Sequence, residues 1–358
     1  MPGVTPRGRV LAALAFEETD IVPYQIDIDE AVASRLAEHY GSTRFADRIV
    51  NHLPRYVVEP PKQWLSQDIF VDDFGCVQRV GNIWHGEDYP LKHPSLRGYT
   101  FPDLTKSNLF DGAQAFLSAN RGYFTACALN IMLDNRAWML RGMENYLMDM
   151  EDNPTFVEEL LDGLLDLNLR VIDQMAHYAF DCLRFADDWG SQRGLLIGAP
   201  RWRKFLKPRL KRIFQRGREL GFVIAVHSCG DITEIIPDLI DMGVQIINPF
   251  QPEAMDVLDL KRRYGRHVCF NGGISTQQTL PHGSVDDVRD EVAACIRILG
   301  KGGGYIMGPA KPILPDVPLP NAVALIDTIV NQPAAGRTGL SDNELASVLA
   351  RVYSAYHA

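Results

Sequence analysis

Residues 222–250 read FVIAVHSCGDITEIIPDLIDMGVQIINPF: an apolar run, an amphipathic stretch, a glycine and a second apolar run. The first run, Phe222–Ser228, is rich in β-branched residues, as a strand covered on both faces must be. Ile232–Met242 carries its apolar residues at helical spacing and stops at Gly243, the residue type that most easily turns a chain out of a helix. Val244–Phe250 is then extended again. A strand, a crossover helix and a second strand make a βα unit of a parallel sheet.

The same rhythm continues on both sides. Downstream, His267–Gly272 and Gly303–Pro309 read as strands, with Met255–Tyr264 and Val285–Leu299 as helices ending near Gly265 and Gly300. Upstream, Asp181–Asp187 reads as a strand and Ala199–Leu220 as a helix ending at Gly221. Ile21–Ile26, Arg55–Glu59 and Gly122–Leu129 bring the strands to eight. Eight parallel strands in a chain of 358 residues favour a closed (β/α)8 barrel, a TIM barrel of the α/β class, over an open sheet. No glycine-rich phosphate loop of the GxGxxG or GxxxxGK[ST] type follows any strand, which removes the best support for nucleotide binding.

The first half is less regular. Residues 60–110 are rich in Pro, Asp and aromatics (Phe74, Trp84, Tyr89, Tyr99, Phe101) and are expected to form a hairpin-containing excursion over the C-terminal mouth of the barrel. Met143–Met150 and Pro154–Tyr178 read as helices, the second entered through Asn153-Pro154, an N-cap followed by a first-turn proline. With no repeat, linker or low-complexity segment, residues 1–358 are expected to form a single domain.

Composition excludes several classes of function. Hydrophobic residues make up 46% and charged residues 23%, and the net charge is −9. That balance disfavours nucleic acid, which demands a concentrated basic face. The densest basic stretch, Arg201–Arg218, carries its charges at helical spacing and reads as a solvated helix face. No apolar run reaches the length of a membrane helix, and Met1–Arg9 is followed by no signal-peptide core. Cytoplasmic residence is the expectation. The six cysteines lack CxxC spacing, which disfavours disulfides in a reducing compartment.

In a barrel of this kind, polar residues at the C-terminal strand ends converge on one mouth. Asp187, Asp188 and Gln192 close one strand, His227 and Cys229 the next, and Asn248 and Gln251 a third. Asn271 and Gly272 follow, then Lys311. A lone aspartate at a strand end is commonly a helix cap. Five successive strands ending in acidic, imidazole, thiol, amide and ammonium groups point instead to a site. His227-x-Cys229 on extended backbone sends both side chains to one side, and imidazole and thiolate are both zinc ligands. Candidates for further ligands are Cys269, Glu253, Asp231 and Asp187; a buried histidine beside an apolar cysteine is the structural alternative. Asp187 and Asp188 face opposite ways, one into the mouth and one to a turn. The acidic rim formed by Asp27, Asp29, Asp187 and Asp188 suits a cationic or neutral substrate. Lys311, held in a Pro-rich turn, is placed to bind a carboxylate or phosphate or to lie in solvent.

The chain resembles the uroporphyrinogen decarboxylase superfamily, which includes corrinoid-dependent methyltransferases. The resemblance rests on TPRGRVLAALAFEETDIVP (residues 5–23), LRGMENYLMDMEDNP (140–154), RFADDWGSQRGLLI (184–197), HSCGDI (227–232), NGGIS (271–275) and GGYIMGPAKPILPDVP (303–318). It implies a (β/α)8 barrel with its cleft at the strand C-termini, and, as family members often dimerise, a homodimer. The decarboxylases carry an RQAGR-type stretch that grips carboxylates; here that region reads Asp27-Ile28-Asp29-Glu30, which argues against uroporphyrinogen itself.

The methyltransferase branch has a zinc site on the His-x-Cys of the fifth strand, implying ligand roles for His227 and Cys229. It adds a cysteine near the end of the eighth strand, where this chain has Ile306-Met307-Gly308-Pro309. The expected function is therefore methyl transfer or demethylation of a small methylated substrate. A corrinoid on a partner protein would serve as carrier, with zinc as the metal, and with Asp187, His227 and Lys311 as catalytic groups. In a zinc-free version Asp187 or His227 would protonate the leaving atom. Asp27, Asp188, Gln192, Asn248, Gln251, Asn271 and Gly272 would contact the substrate. The alternatives are a lyase decarboxylating a tetrapyrrole or smaller acid, with Lys311, Arg193 and Arg141 as its cations, and a non-catalytic corrinoid or carrier-protein binder.

Overall fold

The computed structural model describes residues 4–81, 85–335 and 339–357; Trp84 lies outside them. The chain begins its sheet with β1 (Arg55–Val58) and then leaves it for four antiparallel strands, β2 (Lys62–Trp64), β3 (Ile69–Asp72), β4 (Val77–Arg79) and β5 (His85–Asp88). It returns as β6 (Ala126–Leu129) and β7 (Cys182–Ala186), makes a short hairpin of β8 (Gly190–Ser191) and β9 (Gly194–Leu195), and continues as β10 (Val223–His227), β11 (Ile246–Phe250), β12 (Cys269–Ile274) and β13 (Tyr305–Pro309). Among the described residues the main sheet has seven strands in the order β1-β6-β7-β10-β11-β12-β13. Every neighbouring pair is parallel.

The eighth stave is made differently from the others. Ile21–Ile26 is not a regular strand; Tyr24 makes an isolated parallel bridge to Met307 of β13, and Ile28 makes another to Ile313, past the end of β13. Gln25 N donates to Met307 O at 2.9 Å, and Met307 N to Pro23 O at 2.8 Å. On the side toward β1 much of the ladder is replaced by side chains. Asn51 Oδ1 accepts from Ile26 N at 2.7 Å while its Nδ2 donates to Ile26 O at 2.8 Å, and His52 N donates to Tyr24 O at 2.9 Å. Pro23 has no N–H to give, and a backbone pair satisfied by Asn51 needs no neighbouring strand. The barrel closes, but through polar side chains that no hydrophobic pattern reveals.

Helices pack outside the sheet. Pro154–Met175 buries Leu160, Leu161, Leu164, Leu165, Val171 and Ile172 at helical spacing, and a fully buried Leu or Ile contributes roughly 1.5–3 kcal/mol. Asn153 makes no side-chain cap there; its amide donates to Asp149. The stretch expected as one helix over Ala199–Leu220 is interrupted by a wider turn at Trp202–Leu206, before Pro208. Its basic side chains are more than a solvated face. Arg201, Arg209 and Arg216 pair with Glu151, Asp162 and Asp173 on the preceding helices. All six cysteines are free thiols, and among the described residues no helix is long and apolar enough to cross a membrane.

The β2–β5 excursion lies over the C-terminal mouth, as expected, with Val77, Gln78, Gly86 and Tyr89 facing the cavity beneath. A buried ion pair pins it down: Asp72 meets Arg136, both side chains almost wholly covered. The guanidinium of Arg136 also lies 4.2 Å from the centroid of the Phe74 ring and donates to Ile131 O at 3.2 Å. Arg136 belongs to the helix Asp134–Arg141, which follows β6, so the lid is tied to an element that itself lines the mouth.

Candidate active site

Strand β7 ends at Ala186, and the two aspartates that follow diverge. Asp187 turns inward and is buried. Its Oδ2 accepts from Asp134 N at 2.8 Å and Trp189 Nε1 at 3.0 Å, and its Oδ1 accepts from Asn135 N at 2.9 Å. The carboxylate thus caps the helix Asp134–Arg141, where free N–H groups favour a negative charge. Burial pushes Asp187 up to about 6, against the pull of those hydrogen bonds. Asp134 beside it is pushed up to about 8, by burial first and the Asp187 charge second. Asp187 therefore borders the mouth with both oxygens already engaged.

Asp188 takes the other direction, into the mouth. Its Oδ1 accepts from Cys229 N at 2.8 Å, and its own N donates to Asn135 Oδ1 at 3.1 Å. The loops after β7 and β10 approach closely here. Gly230, at φ 81°, would put a Cβ 2.4 Å from the backbone of Gly190, so only glycine lets Cys229 sit beside Asp188.

His227 ends β10 facing the same point. Its Nδ1 lies 2.7 Å from Asn248 Oδ1, which also accepts from Arg184 Nη2 at 3.0 Å. Arginine can only donate, so the Asn248 atom between them is the carbonyl oxygen. Nδ1 of a neutral His227 therefore carries the proton, and Nε2 presents its lone pair. Asn248 is held in turn by Asn271, whose Oδ1 accepts from Asn248 Nδ2 at 2.8 Å. Burial, then the charge of Arg184, pushes His227 down to about 4. At neutral pH the ring is a ligand or base, unsuited to the proton-donor role expected of it.

Nε2 of His227 stands 3.6 Å from Cys229 Sγ and 3.9 Å from Asp188 Oδ1; the three ligand atoms lie within 4.8 Å of one another. Bonds of about 2.0–2.3 Å at tetrahedral angles would set donor atoms roughly 3.5 Å apart, so the group fits one zinc ion with a fourth position open. The third residue is Asp188, expected as a substrate contact. The other proposed ligands lie elsewhere. Cys269 starts β12 at the opposite end of the barrel. Glu253 binds Ser275 and Gln277 N, Asp231 caps Thr233 N, and Asp187 caps a helix. Burial, reinforced by Asp188, pushes the thiol of Cys229 up to about 12, so it is protonated until a cation arrives.

Two chambers meet at this point. One, of about 450 Å³, has Val77, Tyr89, Met132, Trp138 and Met139 among its walls, with Asp188 and His227 at its base. The other, of about 260 Å³, contains Asp27, Arg55, Arg184, Asn271 and Lys311, with His227 and Cys229 at its edge. The acidic rim inferred from the sequence is thus corrected. Asp29 caps the helix Glu30–His39, Asp187 is internally bonded, and Asp27 pairs with Arg55 at 2.5 Å. Of the cations proposed for a lyase, Arg141 is buried against Asp149 and Arg193 is exposed in the β8–β9 turn; Lys311 alone reaches the mouth. Gln192 is exposed in that same turn, Gln251 accepts from Gly230 N, and Gly272, at φ 136°, packs against the backbone of Phe250. None of these three lines either chamber.

Arg184, Arg55, Tyr89 and Trp138 were not anticipated. Arg184 left a signal: a lone charge inside the apolar run CLRFA of a barrel strand is out of place unless it faces a polar interior.

No curated protein sequence matches the chain. By structure, it resembles a methyltransferase from Methanosarcina mazei, at 19% identity and a TM-score of 0.70, over 92% of this chain and 99% of that one. An endo-β-1,4-xylanase from Gloeophyllum trabeum aligns at 13% identity and a TM-score of 0.40, over 68% of this chain and 84% of that one. The sequence model of the uroporphyrinogen decarboxylase (URO-D) family matches residues 135–332, the half of the chain that runs from the Asp187-capped helix through the His227 strand to the last turns of the barrel. With that match spanning more than half its length, and the barrel and its C-terminal mouth in place, the chain belongs to the uroporphyrinogen decarboxylase family.

Proposed function

We propose that the protein is a methyltransferase or demethylase acting on a small methylated substrate, with a zinc ion held by Asp188, His227 and Cys229. One observation carries this reading: His227 Nε2 is fixed as a lone-pair donor by Asn248 and points at a cysteine 3.6 Å away. A histidine aligned by a second group in this way is the usual arrangement of a metal ligand. Zinc bound there would supply Lewis acidity at the open position, lowering the pKa of a substrate heteroatom or thiol. The chain's own residues do the rest. Asn248 and Asn271 lock the imidazole, the Cys229 N–H orients Asp188, and the lid supplies part of the wall of the chamber beside Tyr89. The structural likeness to a methyltransferase agrees with the reading. A corrinoid on a partner protein as the methyl carrier rests on the sequence resemblance alone.

A second reading has a specific observation behind it. Arg184 and Lys311 share a chamber with the reacting groups, which is what decarboxylation of a small acid requires.

The test is metal content of protein purified without a tag or chelator, followed by methyl transfer assays. About one zinc per chain is expected, lost in His227→Ala, Cys229→Ala and Asp188→Ala. Methyl groups should then pass from methoxy or methylthio donors to free reduced cobalamin, read by its visible absorbance. Zinc-free protein that transfers no methyl group would overturn the reading, and release of carbon dioxide from small acids would put decarboxylation in its place.

A further inference from the structure

The smaller chamber contains a charge imbalance that methyl transfer by itself does not explain. Arg184 enters it from β7, and its hydrogen bond goes to the neutral amide oxygen of Asn248. Lys311 enters from the turn after β13. Among the described residues no carboxylate stands within ion-pair distance of either one, whereas Arg55 in the same chamber has Asp27. Asp27 is occupied twice, since Gln25 Nε2 also donates to it at 2.9 Å. Lys311 is exposed at the rim, but Arg184 is largely enclosed, and an enclosed cation without a counterion is costly. Proteins keep such a group where a ligand supplies the missing charge.

The geometry points to an anion subsite on Arg184 and Lys311 that receives the carboxylate of an amphipathic substrate. The rest of that molecule lies in the larger chamber. Arg184 and His227 form walls of both chambers, Asp188 faces the larger and Cys229 the smaller. A ligand with its carboxylate on Arg184 and Lys311 and an apolar body against Tyr89, Trp138 and Met139 must pass its middle over the three metal-ligating groups. The substrate class is therefore a small apolar or aromatic carboxylic acid whose reacting atom lies between the acid and the body. Arginine is suited to such a contact because its planar fork matches a carboxylate.

The methylated heteroatom in the middle rests on the function proposed above; the anion subsite does not, because it binds a carboxylate whether or not a methyl group moves. Calorimetric titration of the full chain separates the two. The probes are ortho-methoxybenzoate and its uncharged analogue ortho-methoxybenzamide. The acid should bind at least roughly tenfold more tightly, in line with hydrogen bonds to charged groups. Lys311→Ala, an exposed position that cannot disturb the core, should weaken the acid severalfold and leave the amide unchanged. Arg184→Gln should remove the preference, and Trp138→Ala should weaken both probes alike. Cys229→Ala should retain the preference, so loss of methyl transfer and loss of anion binding are read separately. Equal affinity for acid and amide, a preference undiminished in Lys311→Ala, or no binding of either probe at millimolar concentration would each overturn the proposal.

Discussion

Asn248 Oδ1 lies 2.7 Å from His227 Nδ1 and 3.0 Å from Arg184 Nη2, so one amide oxygen sets both the tautomer of the imidazole and the place of the guanidinium. The two residues it holds, His227 and Arg184, are the ones that line both chambers. Replacing Asn248 by Leu removes the acceptor and frees the ring to turn. Zinc affinity should fall about 10–100-fold, the usual cost of losing a group that orients a metal ligand, when measured by competition with a chelator. An unchanged affinity would mean that the ring is held by packing alone.

Asp187 accepts three N–H groups from Asp134, Asn135 and Trp189. An asparagine in its place must turn an NH2 toward at least one of these donors. Asp187→Asn should therefore cost about 1–3 kcal/mol in denaturant unfolding while zinc content stays at the wild-type level. Wild-type stability with abolished turnover would move Asp187 from a positioning role into the chemistry.

The lid depends on the buried pair of Asp72 and Arg136. Removing one partner leaves an uncompensated buried charge, at about 3–5 kcal/mol. In Asp72→Asn, limited proteolysis should cut between residues 60 and 90 well before the barrel unfolds. Cleavage at the wild-type rate would show that the lid is held by its apolar contacts.

Glu291 offers a test by pH. It is buried beside Ser275, and burial pushes it up to about 7, with Glu253 and Asp287 adding in the same direction. The folded state therefore holds a proton between the ordinary carboxylate range and about pH 7 that the unfolded chain has released. Its contribution is complete below that window and declines as pH rises through it. Glu291→Gln, which keeps an acceptor for Ser275 N, should flatten the dependence and leave the variant the more stable protein at pH 8. Parallel unfolding curves for the two proteins from pH 5 to 8 would contradict this.

Much of the barrel was legible in the chain. The alternation of Phe222–Ser228, a helix, Gly243 and Val244–Phe250 placed β10 and β11 within a residue or two, because strands covered on both faces leave a continuous apolar signal. The excursion over the mouth was legible for the opposite reason, a long irregular stretch rich in turn residues and aromatics. The closing stave was not, since its bonds come from Asn51 and from the backbone of His52, which share no period with Tyr24 and Ile26.

The site divides in the same way. His-x-Cys is a local pattern: period two along an extended backbone puts both side chains on one side, so sequence by itself placed His227 and Cys229 on the same side of the strand end. Sequence also determined that the mouth would be polar, because strand ends are read residue by residue. Only the tertiary structure decided which aspartate completes the cluster. Asp187 and Asp188 are equivalent as letters, and what separates them is the helix at Asp134, which claims Asp187 for its free N–H groups and leaves Asp188 to the mouth. Only the tertiary structure decided the charge of the chamber as well. Whether an aspartate counts as a negative rim depends on the arginine or amide it meets, and those partners, Arg55 for Asp27 and the helix terminus for Asp187, stand 28 and about 50 residues away in the chain.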